Sequence, residues 1–387
     1  MAIKQVINAD TFKNSSLLYQ YKPQFVQLSI SPYKMNIKKY ISFVLMAFIT
    51  FAGCKKGSTP SPKDTSKPVT IKPTGSKTGA GVYVIGFTTN ANSNSIATYW
   101  KDGVAIRLAD STLNSYAYAI AVHDTDVYIA GMVNNEATYW KNGSPVKLAG
   151  GTVATGIAIS GTDVYVTGYT NVNGISTGTY WKNGTPVLFT DNTVEALPCA
   201  IAVSGSDVYI TGTTRKAGGP GVVTLWKNGI AAELSSNSPS GWAEFYSGIP
   251  NMAINGNDVY VTGATQNISG SFIMASYWKN GSSAVQLLGG VSSSFSSGAN
   301  AVTVNGTDVY MAGFNNGVAM YWKNGSPNVL TNNFQNYEAT GITISNNDVY
   351  VSGFSGYLTT SAVYWKNGQQ VVLSPATSIT TGIAVVH

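Results

Sequence analysis

The chain has 387 residues, of which only 10% are charged, with 41 glycines and 23 tyrosines. That is a composition of strands and turns, and at this length a closed repeat array can form one domain. The formal charge of +6 suggests nucleic acid until the charges are placed. Residues 1–79 carry 12 of the 23 Lys and Arg but only two of the 17 acids, so the remainder is mildly acidic. A nucleic-acid binder's basic footprint is therefore missing from the part that can fold.

In chain order, residues 41–53 form an uncharged apolar run preceded by Lys38 and Lys39. Thirteen residues fall short of the roughly twenty that a membrane-spanning helix needs. A basic region, a short apolar region and a small pair, Ala52-Gly53, describe an export signal. Cys54 follows directly, and this looks like a bacterial lipoprotein signal, whose lipobox ends in a small residue before the acylated Cys. Phe51 stands where that family usually carries Leu. The resemblance implies lipidation at Cys54 and anchoring to the outer membrane, facing the periplasm or the surface. A signal of residues 35–53 makes Met35 the expected start, with 1–34 a spurious upstream extension. Residues 54–79, rich in Lys, Ser, Thr, Pro and Gly, read as a flexible tether. Cys199 then has no disulfide partner and reads as a buried, inert thiol.

From residue 80 to 387 the sequence repeats. Trp-Lys-Asn-Gly occurs at Trp140, Trp181, Trp226, Trp278, Trp322 and Trp365, and Trp100 opens a Trp-Lys-Asp-Gly variant. Asp-Val-Tyr begins at Asp126, Asp163, Asp207, Asp258, Asp308 and Asp348, with Gly81-Val82-Tyr83 an altered first copy. In the third copy Gly156–Ser160, Asp163–Gly168, Gly178–Trp181 and Thr185–Phe189 read as strands a to d. Asn183-Gly184 between the last two is a hairpin signal, since both residues tolerate positive φ. Four short strands per forty-odd residues, seven times over, predict an all-β, seven-bladed β-propeller. Gly382–Val386 is an orphan strand a at the C-terminus, and the first copy lacks one. The two are expected to close the ring. Asp is present wherever an a–b turn exists and absent from the first copy, which predicts a carboxylate capping that turn's backbone amides. The paired Tyr and Trp face opposite sides of a blade and read as packing against both neighbours, each polar tip finding a partner.

The rhythm of Tyr-Trp-Lys-Asn-Gly with Val-Tyr-Val-x-Gly resembles the HAF-type extracellular repeat proteins, although no His-Ala-Phe triplet occurs. The resemblance implies a secreted propeller and carries no defined activity. No cofactor motif appears, and His123 and His387 are not spaced as metal ligands.

Strand order puts the short a–b and c–d turns at one end of the ring and the variable b–c and d–a loops at the other. The long loop of residues 235–250 holds Trp242, the one Trp outside the repeat, with Glu244, Phe245 and Tyr246. Arg215, Tyr116, Tyr118, Glu195, Phe334, Tyr337 and Glu338 are expected on the same rim. Such a rim suits recognition of a carbohydrate or a protein by a lipid-anchored, monomeric, non-enzymatic module. The alternative is a polysaccharide hydrolase or lyase using Glu195, Glu244 or Glu338, which for hydrolysis needs two carboxyls about 5.5 or 6.5–9.5 Å apart. A plainer reading has the loops merely capping the ring, with Trp242 as a plug. Cys54→Ala is expected to release the protein from membranes, since the acyl chains are its anchor. Continued membrane association, or no palmitate label at Cys54 in the parent chain, would refute the lipidation.

Overall fold

A computed structural model describes residues 79–190, 193–216, 219, 221–234, 250–266, 273–287, 297–331, 336–356, 360–374 and 377–387. They form seven antiparallel four-stranded sheets. The innermost strands, taken around the molecule, are Ser378–Val386, Ser115–His123, Val153–Ser160, Glu195–Ser204, Met252–Asn255, Ser297–Asn305 and Glu338–Ser345. Each touches the next, and the last returns to the first. The architecture is a seven-bladed β-propeller. Its first blade is closed as expected, by the C-terminal strand Ser378–Val386 pairing antiparallel with Gly81–Thr89. Among the described residues no helix is long and apolar enough to cross a membrane.

Period-two alternation gives every blade two apolar faces, and the core is the set of seven interfaces between them. Seven hydrophobic clusters lie one at each blade–blade contact. Each repeat Trp packs toward the preceding blade: Trp140 joins Ile85 and Ala97, and Trp181 joins Tyr128 and Ala130. The residue before it packs toward the following blade, as Tyr139 does, and Leu225 fills that role in the fourth blade. All seven Trp are at most 2% exposed, which leaves them no surface for stacking on a ligand. The expected partners for the indole N–H groups are only partly found. Trp181 Nε1 donates to the Ala149 carbonyl at 3.0 Å, whereas Trp100, Trp140, Trp278 and Trp365 have no acceptor among the described residues.

Six of the seven inner strands are longer than their apolar runs suggest, because each of the six has an interruption. In the third blade the strand starts at Val153, and Thr155 bulges out of the ladder between Ala154 and Gly156. Tyr118, Cys199, Asn300, Thr340 and Thr381 are the equivalent bulged residues. The extra residue shifts the alternation by one, so the half-strand before it does not continue the pattern. In the six bulged blades the bulge also explains the Gly that ends the Val-Tyr-x-x-Gly strand. A Cβ on Gly168 would lie 1.9 Å from the Val153 carbonyl oxygen, and one on Gly313 would lie 1.9 Å from that of Gly298. Only a residue without a side chain fits.

The role of the repeat Asp differs from expectation. Asp126 does not cap the a–b turn; it holds the c–d turn across from it. Asn142 Nδ2 donates to Asp126 Oδ1 at 2.7 Å, and Lys141 Nζ lies 2.9 Å from Oδ2 and 5.1 Å from the Tyr128 ring centre. The backbone amide of Val127 is capped by Asn142 Oδ1 at 2.9 Å. This clamp recurs at Asp163, Asp207, Asp258, Asp308 and Asp348. In the first blade Asp102 replaces the Asn and caps Val82 N at 2.9 Å. A Cβ on Gly81 would stand 2.5 Å from the Asp102 carboxylate, so a second acid there would collide with the first. Gly81 and Asp102 are one coupled exchange.

Deleting residues 376–387 should disrupt far more than its length suggests, because it strips the inner ladder from Gly81–Thr89 and opens an edge. Aggregation or a lowered melting temperature is expected. A truncated chain that stays monomeric with unchanged melting would contradict the closure.

Candidate functional site

The bulges bring side chains of adjacent blades together around the axis. Thr155 Oγ1 donates to the Pro198 carbonyl at 2.7 Å, Thr381 Oγ1 to that of Ala117 at 2.8 Å, and Asn300 Nδ2 to that of Ala339 at 2.9 Å. Thr340 and Thr380 share a hydroxyl contact of 2.9 Å. Each bond runs from one blade to the next, so the bulges stitch the ring from within. They surround a central cavity of about 300 Å³, walled by the inner strands with Tyr118, Tyr169, Cys199, Asn251 and Asn300 among its polar residues. Among the described residues no acidic or basic side chain lines it.

The candidate residues divide into several groups. Trp242, Glu244, Phe245, Tyr246 and Phe334 lie outside the described residues. Tyr116 and Tyr118 stack with ring centres 5.9 Å apart and planes 5° apart, and Phe87 meets Tyr116 edge-on at 4.9 Å. Tyr118 reaches the cavity wall. Glu195 and Arg215 face each other across the strand pair of the fourth blade and form an ion pair, with Arg215 Nε donating to Oε2 at 2.8 Å. Tyr337 is half-buried; its ring lies 6.2 Å from that of Trp365, and it packs against the core between the sixth and seventh blades.

Glu338 sits two residues before a bulge, a register that carries Tyr116, Val153, Leu197, Gly298 and Ile379 in other blades. Its one hydrogen-bond partner among the described residues is Asn300, whose Nδ2 lies 2.9 Å from Oε1. Burial pushes the carboxyl up to about 8, against the opposing pull of that bond. Burial likewise pushes the Cys199 thiol up to about 12, although the residue is half-buried, not fully buried as expected, and lines the cavity. Burial first, and then the charges of Glu195 and Cys199, raise the Tyr169 phenol. Glu195 and Glu338 stand three blades apart along the ring and each is engaged by a different partner. Among the described residues no group of three His, Cys, Asp or Glu is placed to hold a metal ion.

Asn251, Asn300 and Tyr169 were not singled out by the sequence. The available signal is departure from the repeat: Asn251 stands where six blades have Ala or Gly. Reading it requires the bulge to be placed first.

No protein-family model matches the chain, and no curated protein matches it. Solved structures similar to it include the β-propeller domain of the Trilobed protease from Pyrococcus furiosus, at 9% identity and a TM-score of 0.47, covering 77% of this chain and 96% of that one. TolB from Acinetobacter baumannii is similar at 11% identity and a TM-score of 0.43, covering 79% and 66%. A puromycin-hydrolyzing peptidase of Mycobacterium tuberculosis is similar at 11% and 0.47, covering 75% of this chain and 53% of the peptidase. The Pyrococcus domain has an open velcro topology, whereas here the first blade is closed by the C-terminal strand.

The two kinds of carboxyl separate in pH. Lys182 and then Asn183 hold Asp163 below its ordinary value, so the clamp's contribution is present above the ordinary carboxylate pKa and lost as pH falls through the folded one. Glu338 is raised, so its contribution is complete below its unfolded pKa of about 4.3 and is lost as pH climbs through about 8. Melting temperature should therefore decline between about pH 5 and 8, and Glu338→Gln should flatten that decline. An unchanged slope in Glu338→Gln would show that the carboxyl is not buried as described.

Proposed function

We propose that the chain is a non-enzymatic recognition module, exported and tethered to the outer membrane through a lipidated Cys54, which binds a carbohydrate through the variable-loop end of its propeller. The observation that carries this reading is the contrast between the two ends of the ring. At one end the same clamp is repeated six times. At the other, the d–a connections run from five residues, 148–152, to eighteen, 234–251. Binding function on repeat scaffolds concentrates on such variable loops. The stacked Tyr116 and Tyr118 supply an aromatic surface there, and the polar cavity wall supplies amides and hydroxyls. Paired catalytic carboxylates find less support, since Glu195 is bound to Arg215 and Glu338 to Asn300. The apolar leader and Cys54 support the tether. A protein ligand on the same rim is the outcome to test against.

A glycan array probed with the purified chain tests the reading, with Trp242→Ala as the informative variant. An anchor residue should change stability by less than about 1 kcal/mol and affinity by roughly 2 kcal/mol or more. A plug should instead cost about 3–5 kcal/mol of stability, as buried aromatics do. A large stability loss with binding intact in the folded fraction would remove Trp242 from the site. Binding to no glycan, with capture on a protein array, would replace carbohydrate by protein.

A further inference from the structure

Because the blades are copies, a residue that departs from its register marks a local requirement that the fold does not impose. At the position after the bulge, six blades carry Ala119, Gly156, Ala200, Ala301, Gly341 and Gly382, while the fifth carries Asn251. Small residues belong there because neighbouring inner strands nearly touch. A Cβ on Gly156 would stand 3.0 Å from Ala200 Cα, and one on Gly341 would stand 3.0 Å from Gly382 Cα. Asn251 is held by its backbone alone: its N donates to Thr262 Oγ1 at 3.2 Å and its O accepts from Thr262 N at 2.9 Å. Its side-chain amide lines the cavity and has no hydrogen-bond partner among the described residues.

One blade further on, Asn300 occupies the bulge that is Thr155, Thr340 or Thr381 elsewhere. The Ala339 carbonyl can only accept, so the amide nitrogen of Asn300 must be the end facing it. That leaves the amide oxygen as the end directed away from Ala339 and Glu338. The remaining wall includes an aliphatic belt, with Ile120, Ile157, Met252 and Ile342 at one level of the ring, and carries no charged side chain among the described residues. Its volume of about 300 Å³ is at the small end of ligand pockets, roughly 300–1,000 Å³, with room for one ring rather than a chain.

We infer that Asn251 and Asn300 form the polar wall of a subsite in the central cavity that holds a single uncharged sugar ring, hydrogen-bonding its hydroxyls while the aliphatic wall takes its carbon–hydrogen face. This rests on the carbohydrate-recognition reading above and adds the place, the size and the charge of the unit bound. Glu338, which accepts from Asn300 Nδ2 at 2.9 Å, has its carboxyl pushed up to about 8 by burial.

The test is calorimetric titration of the detergent-solubilised full chain with glucose, galactose and N-acetylglucosamine, and with glucuronic acid as the charged counterpart. At least one neutral sugar should bind one site per chain, with glucuronic acid at least about tenfold weaker. Asn251→Ala and Asn300→Thr install residues that other blades already use, so melting should move by no more than about 2 °C while neutral-sugar affinity falls at least about tenfold in each. Unchanged affinity in either variant, preference for glucuronic acid, or a large loss of stability in both would overturn the subsite. So would failure of the parent chain to bind any of the three neutral sugars. A chain that binds polymers on the array but none of these monosaccharides would lose the subsite and keep the recognition function; binding to neither would end both.

Discussion

The structure depends on one irregularity repeated around the axis: an extra residue in the inner strand of six blades. A regular strand would present only its own backbone edge to the channel. The bulge instead swings a side chain toward the next blade, where Thr155, Asn300 and Thr381 bond to carbonyls of a different sheet. It also presses a carbonyl against the adjacent strand so closely that only Gly fits. Stitching, glycine placement and the polar lining of the cavity thus have a common cause. Apolar interfaces alone would hold the blades together, but they are non-directional. The hydrogen bonds and the Cβ-free contacts set the inner strands in a defined relation.

The ring's architecture was legible in the sequence because its signals are local. Asn-Gly turns, period-two apolar runs and the spacing of seven Trp each operate within a few residues, and repetition removes the ambiguity of any one copy. The orphan strand at the C-terminus was legible for the same reason, as a missing piece at one end and a surplus piece at the other. What could not be read are the contacts between segments. Asp126 and Asn142 lie sixteen positions apart, so the sequence showed that Asp and its turn occur together but not which turn the carboxylate holds. The Gly81–Asp102 exchange looked like two unrelated deviations until the 2.5 Å approach joined them.

The site was less legible than the fold, and the reason is again physical. Residue type marks the rim candidates, and type does not reveal direction. Tyr337 has the chemistry of a rim aromatic, yet it packs on Trp365. Glu338 has the chemistry of a rim acid, yet it is half-buried and bonded to the Asn300 amide. Asn251, by contrast, is an ordinary residue in an ordinary stretch. It becomes conspicuous only when the seven inner strands are aligned through their partner strands, where Asn251 lies opposite Thr262 and six other blades carry Ala or Gly.

The closing strand also has a consequence in time. Gly81 pairs with Val386, so the first blade to be synthesised must wait for the last residues of the chain before its inner ladder exists. Contacts spanning nearly the whole sequence are slow to form, since the intervening loop must be brought together first. Blades two to seven can assemble one after another, but the circle itself closes only once Ser378–Val386 has been made. A chain with this topology remains an open, threadable arc until the strand Ser378–Val386 arrives to make it a ring.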